Sequence, residues 1–249
     1  RIGSEVHHWN GSTWRLVPRP TPATLRSITG DPSGDPWVVD TGGVLHRENG
    51  DWRIVDASAL DEFHMYDLWV AAPDDVWMTT NGIYGQGGTI FHYDGTVWAQ
   101  QTTGHGRLEA IWGTSSDELW SVGEHGTVLH YDGKAWTRSN ASTIEALHDV
   151  HGCDEDDVWV VGDHGTVRHW NGSAWSDRSP PTHLDLLSVF CQPGASAWVV
   201  GDLRYDREAE LGFAEIELGQ PDRCPPHGAP WVPPRQEVID RALRGLPQT

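Results

Sequence analysis

The sequence is short of cationic side chains and of long apolar runs. Lys and Arg together number 17 against 36 Asp and Glu, which gives the 249 residues a formal net charge of −19 at neutral pH. A chain with this charge repels nucleic acids and anionic membrane surfaces, so we expect neither as a partner. No apolar run approaches the roughly 20 residues that a transmembrane helix needs, so we expect no membrane span.

Cysteine is also scarce, whereas tryptophan is abundant. The three cysteines, Cys153, Cys191 and Cys224, form no Cys-x-x-Cys pair, which argues against a zinc ribbon. There are 15 Trp against only 4 Phe and 2 Met. The 28 Gly and 16 Pro indicate many turns.

The tryptophans recur with a period of about 40 residues. One series follows an acidic turn and comprises Trp37, Trp77, Trp120, Trp159 and Trp198. In the second series a histidine stands six places earlier in each copy, and its members are Trp14, Trp52, Trp98, Trp136 and Trp175. Five copies with fixed internal spacings predict five structural repeats.

Each repeat contains four short extended segments. The third copy gives LEAIWG, LWSVG, TVLHY and AWTRS, separated by turns of Gly, Asp and Ser. Asp-Gly and Asn-Gly between such segments are typical of β-hairpins, and four strands in about 40 residues are typical of a propeller blade. The sequence therefore predicts an all-β fold over residues 1–202, a five-bladed β-propeller of four-stranded blades.

The first and last copies are incomplete and complement each other. Residues 1–17 match the second half of a blade, and the last copy loses the pattern after Asp202. We therefore expect the N-terminal hairpin to complete the fifth blade and to close the ring. The alternative is a larger propeller with further blades before Arg1.

The copies resemble the BNR/Asp-box-like repeats of bacterial secreted β-propellers, which include photosystem-assembly-factor-like and sialidase-like proteins. Asp94, Asp132 and Asn171 keep the Asp/Asn-Gly-x-x-Trp part of that motif, but the Ser before it is missing. The resemblance implies a secreted, periplasmic or cell-surface protein that binds a protein or a glycan. That family contains enzymes, adhesins and assembly factors, so the resemblance does not fix an activity.

Residues present in every copy are expected to be scaffold, because a ligand site breaks the equivalence of the blades. We therefore expect the repeat histidines to bond to neighbouring backbone and not to a metal. The copies differ in the turn between the second and third strands, which the second copy expands to TTNGIYGQGGT. The polar and aromatic residues on this rim predict a ligand-binding surface for a basic partner or for calcium, formed by Asn81, Tyr84, Glu124, His125, Asp163 and His164.

The innermost strands carry two carboxylates, Asp67 and Asp149, near the aromatic residues Trp69 and Trp112, which we also predict to bind the ligand. The two carboxylates belong to blades two apart, so both can approach the axis. Paired carboxylates beside an aromatic platform are what glycoside hydrolysis needs, so a glycan-active hydrolase is the alternative function. Polar residues that hydrate a channel give the same pattern, and we favour a non-catalytic role without cofactor.

Two cysteines fall at equivalent ends of neighbouring inner strands. Cys191 takes a place that is Gly in three other copies, and Cys153 follows the corresponding Gly in the adjacent copy. A Cys153–Cys191 bridge is therefore expected, with a Cys191–Cys224 bridge or free thiols as alternatives. A bridge would indicate an oxidising compartment.

Residues 203–249 form a separate C-terminal extension. LGFAEIEL could add one strand, CPPHGAPWVPP predicts an extended strap, and RQEVIDRALRGL has the spacing of a short amphipathic helix. This extension is a candidate for self-association or for a larger assembly. We therefore predict a non-catalytic binding or assembly module, with a hydrolase and a structural subunit joined through residues 203–249 as alternatives.

Overall fold

The structure, a computed structural model, describes residues 5–60, 63–82, 87–191, 197–202 and 214–218. Within these residues the fold is all-β, with two short 3₁₀ turns at Ser58–Leu60 and Asp163–Gly165. No helix in this described part is long and apolar enough to cross a membrane. The predicted all-β class is confirmed.

The strands form five blades after an N-terminal hairpin. The hairpin is a sheet of its own, made of β1 (Val6–Trp9) and β2 (Trp14–Val17). Blade 1 consists of β3 (Leu25–Gly30), β4 (Pro36–Asp40), β5 (Gly43–Glu48) and β6 (Asp51–Val55). Blade 2 consists of β7 (Phe63–Ala72), β8 (Asp75–Gly82), β9 (Gly88–Tyr93) and β10 (Trp98–His105).

The remaining blades follow the same antiparallel order. Blade 3 consists of β11 (Leu108–Ser115), β12 (Glu118–Gly123), β13 (Thr127–Tyr131) and β14 (Trp136–Arg138). Blade 4 consists of β15 (Leu147–Asp154), β16 (Asp157–Gly162), β17 (Val167–Trp170) and β18 (Trp175–Asp177). Blade 5 consists of β19 (Asp185–Cys191), β20 (Ala197–Asp202) and β21 (Ala214–Leu218). Consecutive inner strands contact one another from β3 through β7, β11 and β15 to β19.

Each junction between blades buries one apolar residue of an inner strand against the preceding blade. These residues are Leu68, Ile111, Val150 and Val189, all 3–4% exposed. Each lies in one apolar cluster with the repeat tryptophan of the preceding blade, namely Trp37, Trp77, Trp120 and Trp159. Burial of such side chains is the main favourable term in the folding of this domain.

The repeat histidines stack on the repeat tryptophans. The ring centroids are 4.2 Å apart in each of blades 1 to 4. The Nε2 atom of each histidine lies beside a carboxylate at or just before the second strand, which is Asp31, Asp75, Glu118 or Asp157. The prediction that these rings bond to neighbouring backbone was therefore wrong, because the Nε2 atom of each ring lies beside a carboxylate instead.

The Asp/Asn-Gly turns are held by their own side chains. The Oδ1 atom of Asp94 accepts hydrogen bonds from the backbone N–H groups of Thr96 and Val97, both at 2.9 Å. These bonds, together with one from the Thr96 hydroxyl, lower the pKa of Asp94 to about 2. Asn10, Asp132 and Asn171 form the same turn. The repeated motif is scaffold, as its repetition predicted.

The end of the ring differs from the expectation. β20 pairs with β21, in a register that places Ala197 opposite Leu218, and the N-terminal hairpin does not pair with it. The strand expected in LGFAEIEL is therefore present and occupies the place that we assigned to the hairpin. Among the described residues, β19 and β3 share no contact comparable to those between consecutive inner strands. The domain boundary at residue 202 stays a prediction, and the Pro-rich segment and C-terminal helix lie outside the described residues.

Candidate functional site

A cleft of about 560 Å³ opens between blades 3 and 4. It lies at the end of the propeller where each outer strand connects to the next inner strand, which is also the end of the turns between second and third strands. The connection between β14 and β15 forms one wall, and β17 with its preceding turn forms the other. The lining residues are Asn140, Ser142, Thr143, Ile144, Glu145, His164, Thr166, Arg168 and Ser179.

The first wall presents an apolar side chain to solvent. Ile144 is 84% exposed although the neighbouring Ala141 is buried. The segment between them is held by the Asn140 Oδ1 atom, which accepts a hydrogen bond from the Ser142 N–H at 2.9 Å. Ser142 has a φ of 54°, a left-handed conformation that turns the chain outward. Ile144 is therefore displayed by a fixed segment.

The second wall contributes a histidine whose ring contacts a carboxylate of the first wall. The Nδ1 atom of His164 lies 2.9 Å from the Oε2 atom of Glu145. This carboxylate raises the pKa of His164. The backbone N–H of His164 donates to the Oδ1 atom of Asp185 at 3.1 Å. His164 itself has a φ of 56°, which projects its side chain from the turn toward Glu145.

Arg168 joins the two walls at their base. Its Nε atom donates to the carbonyl of Ala141 at 3.2 Å, and its Nη1 atom donates to the Ser179 hydroxyl at 2.9 Å. Nη1 also lies 2.9 Å from the Asp177 carboxylate. These contacts fix the width of the cleft. Its surface therefore combines an apolar side chain, hydroxyl and amide groups, and one carboxylate paired with an imidazole.

Sequence reasoning identified His164 in this cleft but missed Ile144, Glu145, Arg168 and Ser179. The segment NASTIEAL has no strand periodicity, and its connection from Trp136 to Leu147 is as long as those from Trp14 to Leu25 and from Trp175 to Leu186, so the sequence offers no signal for the exposure of Ile144. Arg168 occupies a strand position that is variable between copies. That variability is the one signal that could have drawn attention to it.

The other rim residues do not converge on one point. The Oε1 atom of Glu124 lies 3.5 Å from the Nε atom of Arg107, and the Oδ1 atom of Asp163 lies 2.6 Å from the Nε2 atom of His148. His125 has the same left-handed φ of 56° as His164. Each rim carboxylate thus has its own cationic or imidazole neighbour. Calcium binding stays a prediction.

Asn81 has a different role from the one expected. Its Nδ2 atom donates to the carbonyl of Leu108, and its Oδ1 atom accepts from the N–H of Leu108, both at 3.1 Å. The buried amide therefore pairs with the backbone of the next blade as a strand would. Tyr84 lies outside the described residues.

The inner-strand carboxylates tie blades together. Asp67 accepts hydrogen bonds from the Ser27 hydroxyl of blade 1 at 2.6 Å and from the Ile111 N–H of blade 3 at 3.1 Å. Asp149 accepts from the Ser188 hydroxyl and the Val189 N–H of blade 5 at 2.7 and 2.8 Å. Burial raises the pKa of Asp67, and it raises the pKa of Asp149 to about 6, with a further contribution from the charge of Asp67.

Trp69 and Trp112 belong to the packing between blades. Trp69 packs on the cluster that contains Trp77 and Ile111. Trp112 lies against Gly152 of the next blade, where a Cβ atom would approach the ring to within 2.3 Å. Its ring is also 5.6 Å from that of His151. We therefore assign both aromatic side chains to the packing between blades and not to a sugar-binding platform.

Cys153 and Cys191 form a disulfide between blades 4 and 5, with their Cα atoms 5.5 Å apart. The bridge lies at the end of the propeller opposite the cleft, because both cysteines are at the distal ends of their inner strands. Asp157 is the third potential metal ligand nearby, but its Oδ1 atom already accepts from Trp159 and contacts His169. Cys224 lies outside the described residues.

Solved structures similar to this one are propellers. YCF48 from Cyanidioschyzon merolae superposes with a TM-score of 0.59 and 14% identity, over 83% of this chain and 75% of that chain. YCF48 bound to a D1 peptide gives 0.58 and 14%, over 85% and 73%. The catalytically inactive H270A virginiamycin B lyase from Staphylococcus aureus with quinupristin gives 0.67 and 13%, over 84% and 76%. At these identities the similarity shows the propeller fold and not the function.

No protein family matches the sequence, and no curated protein sequence is significantly similar to it. The structural neighbours support a β-propeller without distinguishing BNR/Asp-box repeats from other propeller repeats. The cleft and the inner strands must therefore carry any functional argument.

Proposed function

We propose that this chain is a non-catalytic binding module whose cleft between blades 3 and 4 takes an extended polypeptide segment of a partner protein. The observation that carries the proposal is Ile144, which is 84% exposed within a cleft that is otherwise polar. An exposed apolar side chain beside hydrogen-bonding groups matches the usual composition of protein-recognition surfaces. One structural neighbour is a propeller bound to a peptide, which supports this proposal by analogy of fold.

The chemistry of the cleft favours a partner with one apolar and one basic side chain. The apolar side chain would cover Ile144, and the basic one would approach Glu145 from the solvent side. The hydroxyl of Thr143, which accepts only from the Glu145 N–H, can donate to the partner's main chain. The net charge of −19 would also speed the approach of a basic partner.

A glycan-active hydrolase is the second candidate, because a carboxyl group whose pKa is about 6 suits a general acid. Against it, Asp67 and Asp149 both accept hydrogen bonds from neighbouring blades. We therefore assign them to the scaffold. A third candidate, a structural subunit joined through residues 203–249, depends on a segment of which the structure describes only β21.

We place the protein outside the cytoplasm, in the periplasm, on the cell surface or in the medium. The Cys153–Cys191 disulfide supports this, because such bridges persist in oxidising compartments. Mass spectrometry of the protein isolated from its native compartment, with alkylation before reduction, tests the location. Free thiols at both positions would argue against it.

The cleft is tested by selecting binders from a random-peptide display library. We expect selected peptides to bind Ile144→Asp at least about tenfold more weakly, since removing a central apolar contact typically costs more than 1 kcal/mol. Ile54→Asp is the matched control, because Ile54 is also exposed but lies on the outer strand of blade 1. Peptides that bind both variants equally would refute the proposal that the cleft is the binding site. Selective binding on a glycan array would favour a lectin.

A further inference from the structure

The same aromatic contact occurs at two internal junctions of the propeller, between blades 2 and 3 and between blades 3 and 4. The second-strand tryptophan of one blade meets the aromatic pair at the hairpin between the third and fourth strands of the next blade. The ring centroids of Trp77 are 5.0 Å from Tyr131 and 6.0 Å from Trp136. Those of Trp120 are 5.5 Å from Trp170 and 5.4 Å from Trp175.

The N-terminal hairpin carries the same aromatic pair, and within the described residues no second-strand tryptophan contacts it. Trp9 and Trp14 lie opposite each other in the register, with ring centroids 5.7 Å apart and planes at 51°. The internal pair Trp170–Trp175 has nearly the same geometry, 5.7 Å and 47°. Trp14 is nevertheless 67% exposed. We call the exposed pair Trp9 and Trp14 the hairpin face.

Blade 5 carries the other half of this contact, the second-strand tryptophan. Trp198 corresponds to Trp77 and Trp120 in the repeat, but it is 38% exposed, and Val200 and Phe190 beside it are also exposed. Phe190 pairs with Trp198 in the register, so both side chains leave the sheet on the side opposite Val189, and the Phe190 ring also contacts His151 of blade 4 with centroids 5.2 Å apart. We call the surface formed by Phe190, Trp198 and Val200 the blade-5 face.

We propose that the blade-5 face of one copy of this chain packs on the hairpin face of a second copy. This contact would repeat between two chains the packing that Trp77 and Trp120 make within one. It needs no strand exchange, because β21 keeps its place on β20 and the hairpin keeps its own two-stranded sheet. Among the described residues, no ring contact joins Trp198 to Trp9 or Trp14.

Such an interface is heterologous, because two different surfaces of the same chain meet. Heterologous contacts produce closed rings or open chains of subunits, in contrast to the symmetric patches of a simple two-fold dimer. Aromatic pairs prefer specific geometries in addition to burying apolar area, so the four aromatic side chains of the two faces, Trp9, Trp14, Phe190 and Trp198, supply both affinity and register. This proposal does not depend on the cleft.

Sedimentation velocity over a range of protein concentrations tests the proposal. We expect the parent chain to associate, and we expect Trp14→Ser and Trp198→Ser to be at least about tenfold weaker in self-association. Ile54→Ser is the control for removal of an exposed apolar side chain away from both faces. Trp9→Ser and Val200→Ser replace either test variant if it fails to fold.

Mixing the two variants gives the decisive result. Trp14→Ser retains an intact blade-5 face, and Trp198→Ser retains an intact hairpin face. An equimolar mixture should therefore form a one-to-one dimer that neither variant forms alone. A parent chain that remains monomeric at all concentrations would overturn the proposal, and so would a mixture in which the variants fail to complement each other.

Discussion

The internal junctions of this propeller and its two terminal faces, by which we mean the exposed sides of blade 1 at Ile28 and of blade 5 at Trp198, carry similar residues at the same repeat positions. Leu68, Ile111, Val150 and Val189 are 3–4% exposed, whereas Ile28, at the same place in blade 1, is 60% exposed. Trp120 is buried, whereas Trp198 is partly exposed. The difference teaches that a repeat position specifies what a side chain can pack against, while the presence of a neighbouring blade determines whether it is buried.

The largest expected effect is at an internal tryptophan. Trp120 stacks on His130 at 4.2 Å and contacts two tryptophans of blade 4. We expect Trp120→Ala to lower the free energy of unfolding by about 3–5 kcal/mol, because it leaves a large cavity in a packed junction. Urea denaturation followed by circular dichroism measures the change.

Trp198→Ala is the matched control for this prediction, because Trp198 has the same position in blade 5. We expect it to cost less than about 1 kcal/mol at protein concentrations low enough to prevent association. Equal losses in the two variants would mean that the blade-5 face is as well covered as the internal junctions, which would contradict the comparison.

The junction between blades 4 and 5 has an additional cross-link, so its stability should depend on redox state. The Cys153–Cys191 bridge closes a sequence separation of 38 residues. Loop-closure entropy gives a loss of about 4 kcal/mol on reduction, with strain and residual structure lowering the measured value. Thermal unfolding with and without a phosphine reductant measures it.

The double variant Cys153→Ala/Cys191→Ala provides the control for the reductant. It should unfold at the same temperature with and without reductant, close to the reduced parent. If reduction leaves the parent unchanged while the cysteines are shown to be paired, the bridge does not stabilise this junction.

The same junction contains a buried carboxylate, so it should also depend on pH. The pKa of Asp149 is raised to about 6 from an unfolded value of 3.8. The folded chain therefore holds a proton that the unfolded chain lacks, and this stabilisation is complete below pH 3.8 and is lost as the pH rises through about 6. Asp149→Asn removes the titration, so its stability relative to the parent should increase by about 1–3 kcal/mol between pH 4.5 and 7.5.

Asp94→Asn is the control for the pH experiment. The pKa of Asp94 is lowered to about 2, so its titration lies below the tested range. Asn stands at the equivalent turn position at Asn171, where it makes the same backbone hydrogen bonds. A difference between Asp149→Asn and the parent that stays constant over this range would show that Asp149 is already ionised in the folded chain at pH 4.5.

Much of the fold could be predicted because each blade repeats its own packing. The spacing from Trp77 to Trp120 and the Asp-Gly turn at Asp94 are local signals, and they determine where strands begin and end. It could not be predicted that β21, and not the N-terminal hairpin, pairs with β20. The hairpin resembles a third and fourth strand more closely than AEIEL does, and the choice between them depends on tertiary geometry.

The candidate site was less predictable than the fold. His164 was found because it stands in a turn that differs between copies. Ile144 was missed because exposure depends on the conformations of neighbouring residues, above all the left-handed Ser142 and the buried Ala141. Asn81 was placed in a ligand site because its polarity suits a rim, yet its amide faces the backbone of Leu108.

The smallest expected effect gives the most direct test of the comparison, because it uses two residues at one repeat position. Leu68 packs against Trp37 and Val39 of the preceding blade, so Leu68→Ala should cost about 2–5 kcal/mol. Ile28 faces a groove of about 250 Å³ beside β1 and is not covered by a blade within the described residues. Ile28→Ala should therefore change the free energy of unfolding by no more than about 0.5 kcal/mol, within the range of ordinary surface substitutions. Parallel urea titrations of the two variants at low protein concentration measure both values. A loss at Ile28 that approaches the loss at Leu68 would mean that this face is covered in solution by a blade, from the same chain or another, and the distinction between junction and terminal face would then disappear.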